Sequence, residues 1–450
     1  MTALLDSAIF GPLFTDPEIS EILADGALVR ALTDVEKALA RAEARLGVIP
    51  AAAAERIGEI DTDRIDIAAL GRGSLRSGFP IIALVEELRR EAGAEAAPFV
   101  HWGATTQDIM DTALVLQIRS AVKVMRMRLR EIAGRLSALA DRHRGTILAA
   151  RTHGQQALPT SFGLKIAGWL GPLLRHAERL DEIGLRLLVV QFGGAAGTLA
   201  ALGDKGLAVG RELAAELDLA APLMPWHVQR DTLVEFAGWL SLVTGSFGKM
   251  AQDVILMSQT EIGEAGESAE AGRGGSSTMP QKSNPITSEM ILAAARANGA
   301  LLSALHQAQI QEHERATHGW QVEWLTLTQM LALTGGSLKH ALYLASNLQV
   351  DAAAMRANIA RANDLVLAEA CVFALAGAMP RPKAEELVKR ACQTAAAESR
   401  PLVQVVRQFA EAQGAGGAVD WSALIKPENY LGEADAIIDG VLQSAKGLLA

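Results

Sequence analysis

Apolar residues recur every three or four positions over long stretches of the chain, which is the spacing of one face of an α-helix. The most regular stripe begins at Leu233 and continues with Phe236, Leu240, Val243, Phe247, Met250, Val254 and Met257. Similar stripes run over 114–139 and, after Pro159, over 166–180. Less regular helical patterns cover 286–310 and 322–347, and alternating strand patterns of any length are absent. The pattern predicts an all-α fold with several long helices.

Helices of this length cannot bury their apolar faces alone, so we expect them to pack as a bundle. The stripes fit either a core within one chain or contacts between subunits, and the pattern leaves both open. Breaks near 100–112 and 350–365 predict three domains. These are an N-terminal helical domain (1–111), a central domain of long helices (112–355) and a C-terminal helical domain (356–450).

Composition narrows the class of protein. Half of the 450 residues are apolar, and 42 Lys and Arg against 51 Asp and Glu give a net charge of −9. So acidic a chain is a poor candidate for a general nucleic-acid or anionic-membrane binder. Cys371 and Cys392 are its two cysteines, which excludes a disulfide scaffold and a cysteine-built zinc site. Residues 1–20 do not resemble a signal peptide, and no apolar run reaches membrane-spanning length. We therefore expect a cytoplasmic protein.

The segment 275–285 carries the strongest chemical pattern, Gly-Ser-Ser-Thr-Met-Pro-Gln-Lys-Ser-Asn-Pro. It follows a glycine-rich stretch at 263–275, and a long loop in a helical protein is often functional. Glycine before paired serines allows consecutive backbone N–H groups to converge on an anion. Lys282 adds a positive charge and Asn284 an amide donor. Such a loop suits a substrate carboxylate and the negative charge that develops when a neighbouring carbon loses a proton.

The same segment resembles the signature of the fumarase/aspartase superfamily, G-S-S-x-M-P-x-K-x-N-P, at every fixed position. Two further segments, 101–108 and 151–160, resemble the first and second conserved regions of that superfamily, and the turn at 193–198 is also similar. Order and spacing agree over nearly the whole chain. The resemblance implies a central bundle of long helices flanked by two smaller helical domains. It also implies a homotetramer whose active sites each draw on three subunits, a small polycarboxylate substrate, and no metal or cofactor.

The resemblance implies catalytic roles for four residues. Ser276 matches the serine that moves a proton at the carbon beside a carboxylate. His153 matches the histidine on the leaving-group side, and Glu289 occupies the position of its usual acidic partner. A carboxylate bonded to one imidazole nitrogen prepares the other for proton transfer. Lys282 matches a residue that holds a substrate carboxylate and is the rival proton donor to Ser276.

Substrate binding is expected from a second set of polar side chains. Asn284 matches a carboxylate-binding amide, and the hydroxyl donors are Ser277, Thr105, Thr106 and Thr152. Three further candidates are Gln229, Arg315 and His318, which would hold the remaining carboxylates of a tricarboxylate substrate. By contrast, the isolated histidine His227 is predicted to be structural.

Within the superfamily the chain most resembles the carboxymuconate-lactonizing branch, enzymes of bacterial aromatic degradation. The similarity lies in the segments 40–47, 191–194, 226–231, 311–315 and 319–324. In that branch one carboxylate oxygen of the substrate adds to a conjugated double bond of the same molecule, and a proton goes to the carbon beside another carboxylate. In the reverse reaction, however, the carboxylate of the lactone is the leaving group and departs without help. A His–Glu pair suits a leaving group that needs a proton. A different substituted succinate therefore stays open as substrate.

A nucleotide substrate is a competing interpretation. Adenylosuccinate lyase must grip a nucleotide phosphate, which needs charge-assisted donors. Its paired serines and arginine are replaced here by Gly319, Trp320 and Trp324, and its H-D-V segment would fall at 78–81, where no histidine or aspartate occurs.

The other competing interpretation is a structural protein that has kept the fold and lost the chemistry. It predicts erosion at Ser276, Lys282, Asn284 or His153, and all four are intact.

Overall fold

The computed structural model describes residues 4–267 and 273–449, which are overwhelmingly helical. The α-helices are α1 (Gly11–Phe14), α2 (Pro17–Ile22), α3 (Asp25–Arg45), α4 (Ala51–Gly58), α5 (Ile67–Ser77), α6 (Ile81–Ala92), α7 (Thr106–Arg142), α8 (Phe162–Leu187), α9 (Gly206–Glu216), α10 (Asp231–Met257), α11 (Ile286–Ala308), α12 (Gly319–Asn347), α13 (Ala352–Arg361), α14 (Ala368–Ala376), α15 (Arg381–Glu398), α16 (Leu402–Ala412), α17 (Trp421–Leu424) and α18 (Ala434–Leu449). Short 3₁₀ turns lie at Thr62–Arg64, Ala97–Phe99, Ala200–Lys205, Leu365–Leu367, Gly416–Ala418 and Pro427–Tyr430. The strands are β1 (Ile147–Thr152), β2 (Gln155–Ser161), β3 (Ala265–Gly266) and β4 (Gln349–Val350).

The five longest helices coincide with the five predicted helical stretches. In α10 every residue of the predicted stripe is buried, from Leu233 to Met257. The stripes of α7 and α8 are buried as well, including Ile118, Met125 and Leu170, except that Leu114 at the start of the first is half-buried. The all-α prediction is confirmed, and the three-four spacing identified the buried faces because only one side of each helix lies against the core.

The described chain divides into two compact units. The first comprises Met1–Leu129, His176–Gly245 and Ala293–Lys339. Its core joins α3, α4, α6 and α9 around Leu39, Leu84, Phe192 and Leu213. This unit holds the first candidate region, at the start of α7.

The second unit comprises Arg130–Arg175, Ser246–Leu292 and His340–Ala450. Its core packs α14, α15 and α16 around Leu375 and Leu387. It holds the second and third candidate regions. The predicted three domains, with boundaries at 111 and 355, are consecutive along the chain, whereas each compact unit combines separate segments. The three-domain division therefore stays a prediction.

Four short strands accompany the helices in the described residues, although no alternating pattern in the sequence predicts them. β1 and β2 form an antiparallel hairpin, with a register irregularity between Ala149 and Arg151. β2 reads Gln-Gln-Ala-Leu-Pro-Thr-Ser, so it lacks the alternation of apolar and polar residues that identifies a half-buried strand. Its pairing depends on the tight turn and on packing instead. A second, two-residue pair joins β3 to β4.

No helix in the described ranges is long and apolar enough to cross a lipid bilayer. Of the predicted glycine-rich loop, 263–267 and 273–275 are described, and 268–272 lie outside the described residues.

Candidate active site

The candidate catalytic loop, residues 273–285, is closed at its base by backbone pairing. Gly275 and Ser283 form an antiparallel bridge, and the amide of Asn284 donates to the carbonyl of Gly274 at 2.8 Å. Gly274 has a φ of +68°, and a Cβ at this position would lie 2.5 Å from the Asn284 carbonyl oxygen. Glycine is therefore required both for the backbone conformation and for the close approach.

Within this loop the hydroxyl of Ser276 is held by two backbone donors. Its Oγ accepts from the amide of Met279 at 3.1 Å and from the amide of Thr278 at 3.3 Å. N–H groups fixed on an oxygen before reaction stabilise negative charge there. The arrangement therefore favours the alkoxide that a proton-transferring serine has to form.

The other candidate side chains of this segment carry no such restraint. Ser277 and Lys282 are exposed, Asn284 is half-buried, and Glu289 is exposed in the first turn of α11. Among the described residues, none of these four side chains makes a hydrogen bond. They are available to a ligand or to a neighbouring chain.

His153 stands at the tip of the β1–β2 hairpin. It and Gly154 have φ of +50° and +81°, and they connect the paired residues Thr152 and Gln155. Two consecutive positive φ angles are typical of the type I′ turn that suits a two-residue hairpin. Thr152 and His153 are both exposed there. In the described part of one chain, no hydrogen bond joins His153 to Glu289.

The end of this hairpin nearest the turn is fixed by a buried carboxylate. Arg151 donates to both oxygens of Glu264 at 2.7 Å, and the Glu264 side chain is 0% exposed. Asn358 donates to the same carboxylate at 2.8 Å. A bidentate, charge-assisted pair has a defined geometry, so it orients the strand that leads to His153.

Thr105 and Thr106 lie at the N-terminus of α7, where a buried aspartate organises the backbone. Asp108 Oδ1 accepts from the amide of Gly193 at 2.9 Å, and Oδ2 accepts from the amides of Gly194 at 2.9 Å and Thr105 at 3.1 Å. Asp108 thus ties the first candidate region to the 193–194 turn. Our site prediction did not name this residue, although it lies in the segment 101–108 that resembles the first conserved region.

Asp108 also explains His227, which was predicted to be structural. His227 is buried, and its Nε2 donates to Asp108 Oδ1 at 2.7 Å. Gln191 donates to the same oxygen at 3.0 Å. The histidine is one of several donors that compensate a buried carboxylate, as predicted.

Arg315 is held against the same turn, since it donates to the carbonyls of Ala195 at 2.7 Å and Gly194 at 3.4 Å. The other two candidates are more peripheral. Gln229 is exposed and contacts Met224, and the His318 imidazole lies 3.2 Å from Glu312 at an exposed position.

The histidine of the first conserved region, His101, was not named as a candidate site residue. His101 has a φ of +63°, and its Nδ1 lies 2.6 Å from Oε1 of buried Glu36. Burial disfavours the charged imidazolium, but the charge and hydrogen bond of Glu36, with the charge of Asp108, raise the His101 pKa above its usual value.

A buried ion network lies beneath these segments. Arg230 donates to Asp111 at 2.6 and 3.0 Å and to Glu323 at 2.6 and 2.8 Å. Burial opposes the charge of Arg230, yet the two carboxylates raise its pKa. Trp320 donates its indole N–H to Asp111 at 3.1 Å. These contacts make the network a rigid support rather than a free cation site.

Trp320 also belongs to an aromatic cluster. Its ring centroid lies 5.6 Å from that of Phe79 and 4.9 Å from that of Trp324.

The described residues contain no group of three or more His, Cys, Asp and Glu side chains placed to hold a metal ion.

The chain is similar to known proteins over nearly all of its length. Residues 14–299 match the family model described as lyase, and residues 364–441 match that of the adenylosuccinate lyase C-terminus. A Pseudomonas aeruginosa protein named 3-carboxy-cis,cis-muconate cycloisomerase is 44% identical over 96% of this chain and 95% of its own length. A nitrosuccinate lyase from Streptomyces davaonensis is 36% identical over 98% of this chain and 95% of its own.

Solved structures give the same result. The crystal structure of the 3-carboxy-cis,cis-muconate lactonizing enzyme from Pseudomonas putida matches with a TM-score of 0.92 at 40% identity, covering 99% of this chain and 100% of that one. Since the lyase model spans more than half of the sequence and these relatives align over nearly all of it, the chain belongs to the fumarase/aspartase superfamily of lyases.

Proposed function

We propose that the chain is a cycloisomerase that converts 3-carboxy-cis,cis-muconate to 4-carboxymuconolactone in the protocatechuate branch of aromatic degradation. The observation that carries the chemistry is the pair of backbone amides on Ser276 Oγ. The substrate assignment is supported by the names of the Pseudomonas relatives.

In the proposed reaction a carboxylate oxygen of the substrate adds to a conjugated double bond, forming the new C–O bond of the lactone. The electron pair of that double bond moves toward the carbon beside a second carboxylate, which gives an enolate-like intermediate. Ser276 then donates its proton to that carbon and removes it in the reverse direction. Lys282 and Asn284, with the loop amides, stabilise the charge on the carboxylate oxygens. Lys282 remains the rival proton donor.

The remaining binding residues would also contact the negatively charged oxygens of the substrate. Thr105, Thr106, Thr152 and Ser277 would supply hydroxyl donors, and Gln229, Arg315 and His318 would hold the other substrate carboxylates. Arg315 has the best support among the last three. Its contacts with the carbonyls of Gly194 and Ala195 fix the guanidinium beside the turn that Asp108 ties to Thr105.

The aromatic cluster argues against a nucleotide substrate. Phe79, Trp320 and Trp324 pack together, and they belong to the segments in which the sequence departs from the phosphate-binding residues of adenylosuccinate lyase. The indole N–H of Trp320 is already used by Asp111. Binding a phosphate here would need charged donors that the cluster does not supply.

We further propose a cytoplasmic homotetramer in which three subunits complete each site. Two leucines of α10, Leu242 and Leu256, are 52% and 49% exposed, which favours burial against other subunits. The lack of a bond between His153 and Glu289 within the described part of one chain fits a site completed by neighbours. The free cysteines Cys371 and Cys392 suit a reducing compartment.

A second candidate is a lyase that acts on another substituted succinate. The His153–Glu289 combination suits a leaving group that requires a proton. Separately, the relative from Streptomyces davaonensis is named for a substituted succinate, nitrosuccinate. Its reaction would break a bond to the substituent and release a free group, whereas the cycloisomerase releases nothing.

The test is a substrate panel with the purified protein. Loss of the ultraviolet absorbance of 3-carboxy-cis,cis-muconate, with formation of the lactone, is the expected result. Parallel reactions contain adenylosuccinate, nitrosuccinate, and fumarate with ammonia. Turnover of one of these without turnover of the muconate would overturn the assignment.

A further inference from the structure

We propose that Glu267 is a positioning residue for the catalytic loop, acting as the acceptor that fixes the loop to the first turn of α11. This inference rests on the proposed role of Ser276 in that loop. Glu267 lies outside the sequence signature, and the reaction described above gives it no part.

The carboxylate of Glu267 binds three donors at the start of α11. Oε2 accepts from the amide of Thr287 at 3.0 Å, while Oε1 accepts from the amide of Ser288 at 2.7 Å and from its hydroxyl at 2.8 Å. Thr287 and Ser288 are buried, and Glu267 is half-buried. The first N–H groups of a helix have no partner within the helix, and a carboxylate near them is stabilised by the helix dipole.

The local sequence gives α11 no such acceptor of its own. Pro285 precedes the helix and has no side-chain oxygen, and the Asn284 side chain makes no hydrogen bond among the described residues. Glu267 takes the place of the N-cap from twenty residues earlier in the chain. The cap is therefore a connection between distant segments as well as a local stabiliser.

A second contact reaches the same turn of α11 from Arg273. Arg273 donates to Thr287 Oγ1 at 2.8 Å, and its guanidinium lies 3.8 Å from the ring centroid of Tyr343. Arg273 directly precedes the paired base of the loop at Gly274. Glu267 and Arg273, which both precede Gly274, thus contact the same residue after the loop, Thr287.

This geometry links the charge of Glu267 to Ser276. The loop leaves Arg273, carries Ser276, and returns through Asn284 into α11. If α11 loses its cap, the first turn frays and the base of the loop loses its fixed anchor. The amides of Thr278 and Met279 would then spend less time on Ser276 Oγ, so proton transfer slows although every catalytic group is still present.

The experiment compares Glu267→Ala and Glu267→Gln with Glu261→Ala in the full-length protein. Glu261 is an exposed acid nearby whose carbonyl, rather than its side chain, accepts from Arg361. Hydrogen–deuterium exchange is followed by mass spectrometry in peptides covering 274–283 and 284–292. Steady-state kinetics use the substrate that the wild type turns over, and thermal melting reports global stability.

In Glu267→Ala we expect exchange in both peptides to accelerate by about tenfold or more, because charge-assisted bonds are removed. We expect kcat to fall by about tenfold to a hundredfold with less than about a threefold change in KM, since the lost contacts position a catalytic group rather than bind substrate. Glu267→Gln keeps one acceptor oxygen and should fall between Ala and wild type. Glu261→Ala should match the wild type.

Unchanged exchange in 274–283 in Glu267→Ala would overturn the proposal, and so would faster exchange accompanied by a wild-type kcat. A large fall in melting temperature with a rise only in KM would assign Glu267 a merely structural role. If the wild type turns over none of the panel substrates, the proposed function fails by itself. The exchange comparison, which needs no substrate, still decides whether Glu267 positions the loop.

Discussion

The Asp108 carboxylate and the His227 imidazole lie 2.7 Å apart, both buried, although 119 positions separate them in sequence. The same carboxylate accepts from the amides of Gly193, Gly194 and Thr105. One side chain therefore holds together three segments of the first unit. Because its acceptors all face N–H donors, Asp108 orients the Thr105 turn without having to contact a substrate.

Replacing Asp108 with Asn should disturb this region strongly. An amide group presents two N–H donors where the structure places donors already, so at least one buried contact becomes repulsive or unpaired. We expect unfolding free energy to fall by roughly 2 kcal/mol in urea titrations. We also expect kcat/KM to fall by at least about tenfold, since the Thr105 turn loses its anchor. The exposed Asp204→Asn variant provides the control, and equal stability of the two variants would contradict the assigned role.

Ser276→Ala tests the proton-transfer step directly. The substitution removes the hydroxyl but leaves the loop backbone, so we expect kcat to fall by about a thousandfold or more, within the range for general acid–base and oxyanion effects combined. The circular dichroism spectrum and the oligomer mass should be unchanged. Wild-type turnover by this variant would remove Ser276 from the mechanism.

Lys282→Met separates the two roles considered for the lysine. If Lys282 binds a carboxylate, the loss of its charge should raise KM and lower kcat together. If Lys282 delivers the proton instead, kcat should fall by about a thousandfold or more in Lys282→Met, while Ser276→Ala keeps substantial turnover. A kinetic profile identical to the wild type would place Lys282 outside the site.

Gly274→Ala tests whether the base of the catalytic loop must be closed. Its Cβ would lie 2.5 Å from the Asn284 carbonyl oxygen, and its φ of +68° is unfavourable for alanine. Gly263 has a φ of +60°, but a Cβ added there would meet no described atom within 4 Å, so Gly263→Ala isolates the backbone strain from the clash. We expect Gly274→Ala to lose at least about a hundredfold in kcat and Gly263→Ala much less. Comparable activity of the two variants would mean that the close approach to Asn284 is unimportant.

The sequence predicted the parts of the structure that depend on local periodicity. The stripe from Leu233 to Met257 identified α10 because burial on one face of a helix leaves a repeating pattern. Ser276 and Asn284 were predicted as site residues because the signature is contiguous, and their roles stay predictions. The β1–β2 hairpin was missed because its strands do not alternate and its turn, His153–Gly154, is neither the Asn-Gly nor the Asp-Gly pair that signals a hairpin.

The positioning residues were missed for a different reason. Asp108, Glu264 and Glu267 each act on donors far away in the chain, with separations of 85 residues from Asp108 to Gly193 and 113 from Arg151 to Glu264. Periodicity does not report which distant segment a buried carboxylate meets. Such residues become recognisable only when the donors around the carboxylate are known, which is why their roles emerge from the fold.

Glu43 on α3 gives the chain an unusual pH dependence of stability. Its side chain is 0% exposed, and neither of its carboxylate oxygens has a hydrogen-bond partner among the described residues. Burial, with repulsion from Glu36, raises the pKa of Glu43 to about 9. The folded protein therefore retains a proton here that the unfolded chain releases near pH 4.5.

The direction of the effect follows from proton linkage. Between the unfolded and folded pKa values the unfolded state binds fewer protons, so unfolding free energy decreases as the pH rises. Glu43→Gln removes this titration but keeps the shape of the side chain. Between pH 5 and pH 8, the unfolding free energy of the variant measured in urea titrations should rise by up to about 4 kcal/mol relative to that of the wild type. This is the change expected when unfolding of the wild type releases one proton per molecule. For the control Glu55→Gln, at an exposed position, the difference in unfolding free energy from the wild type should not change over this pH range. If the difference for Glu43→Gln did not change either, Glu43 would be ionised in the folded protein, with a partner that compensates its charge.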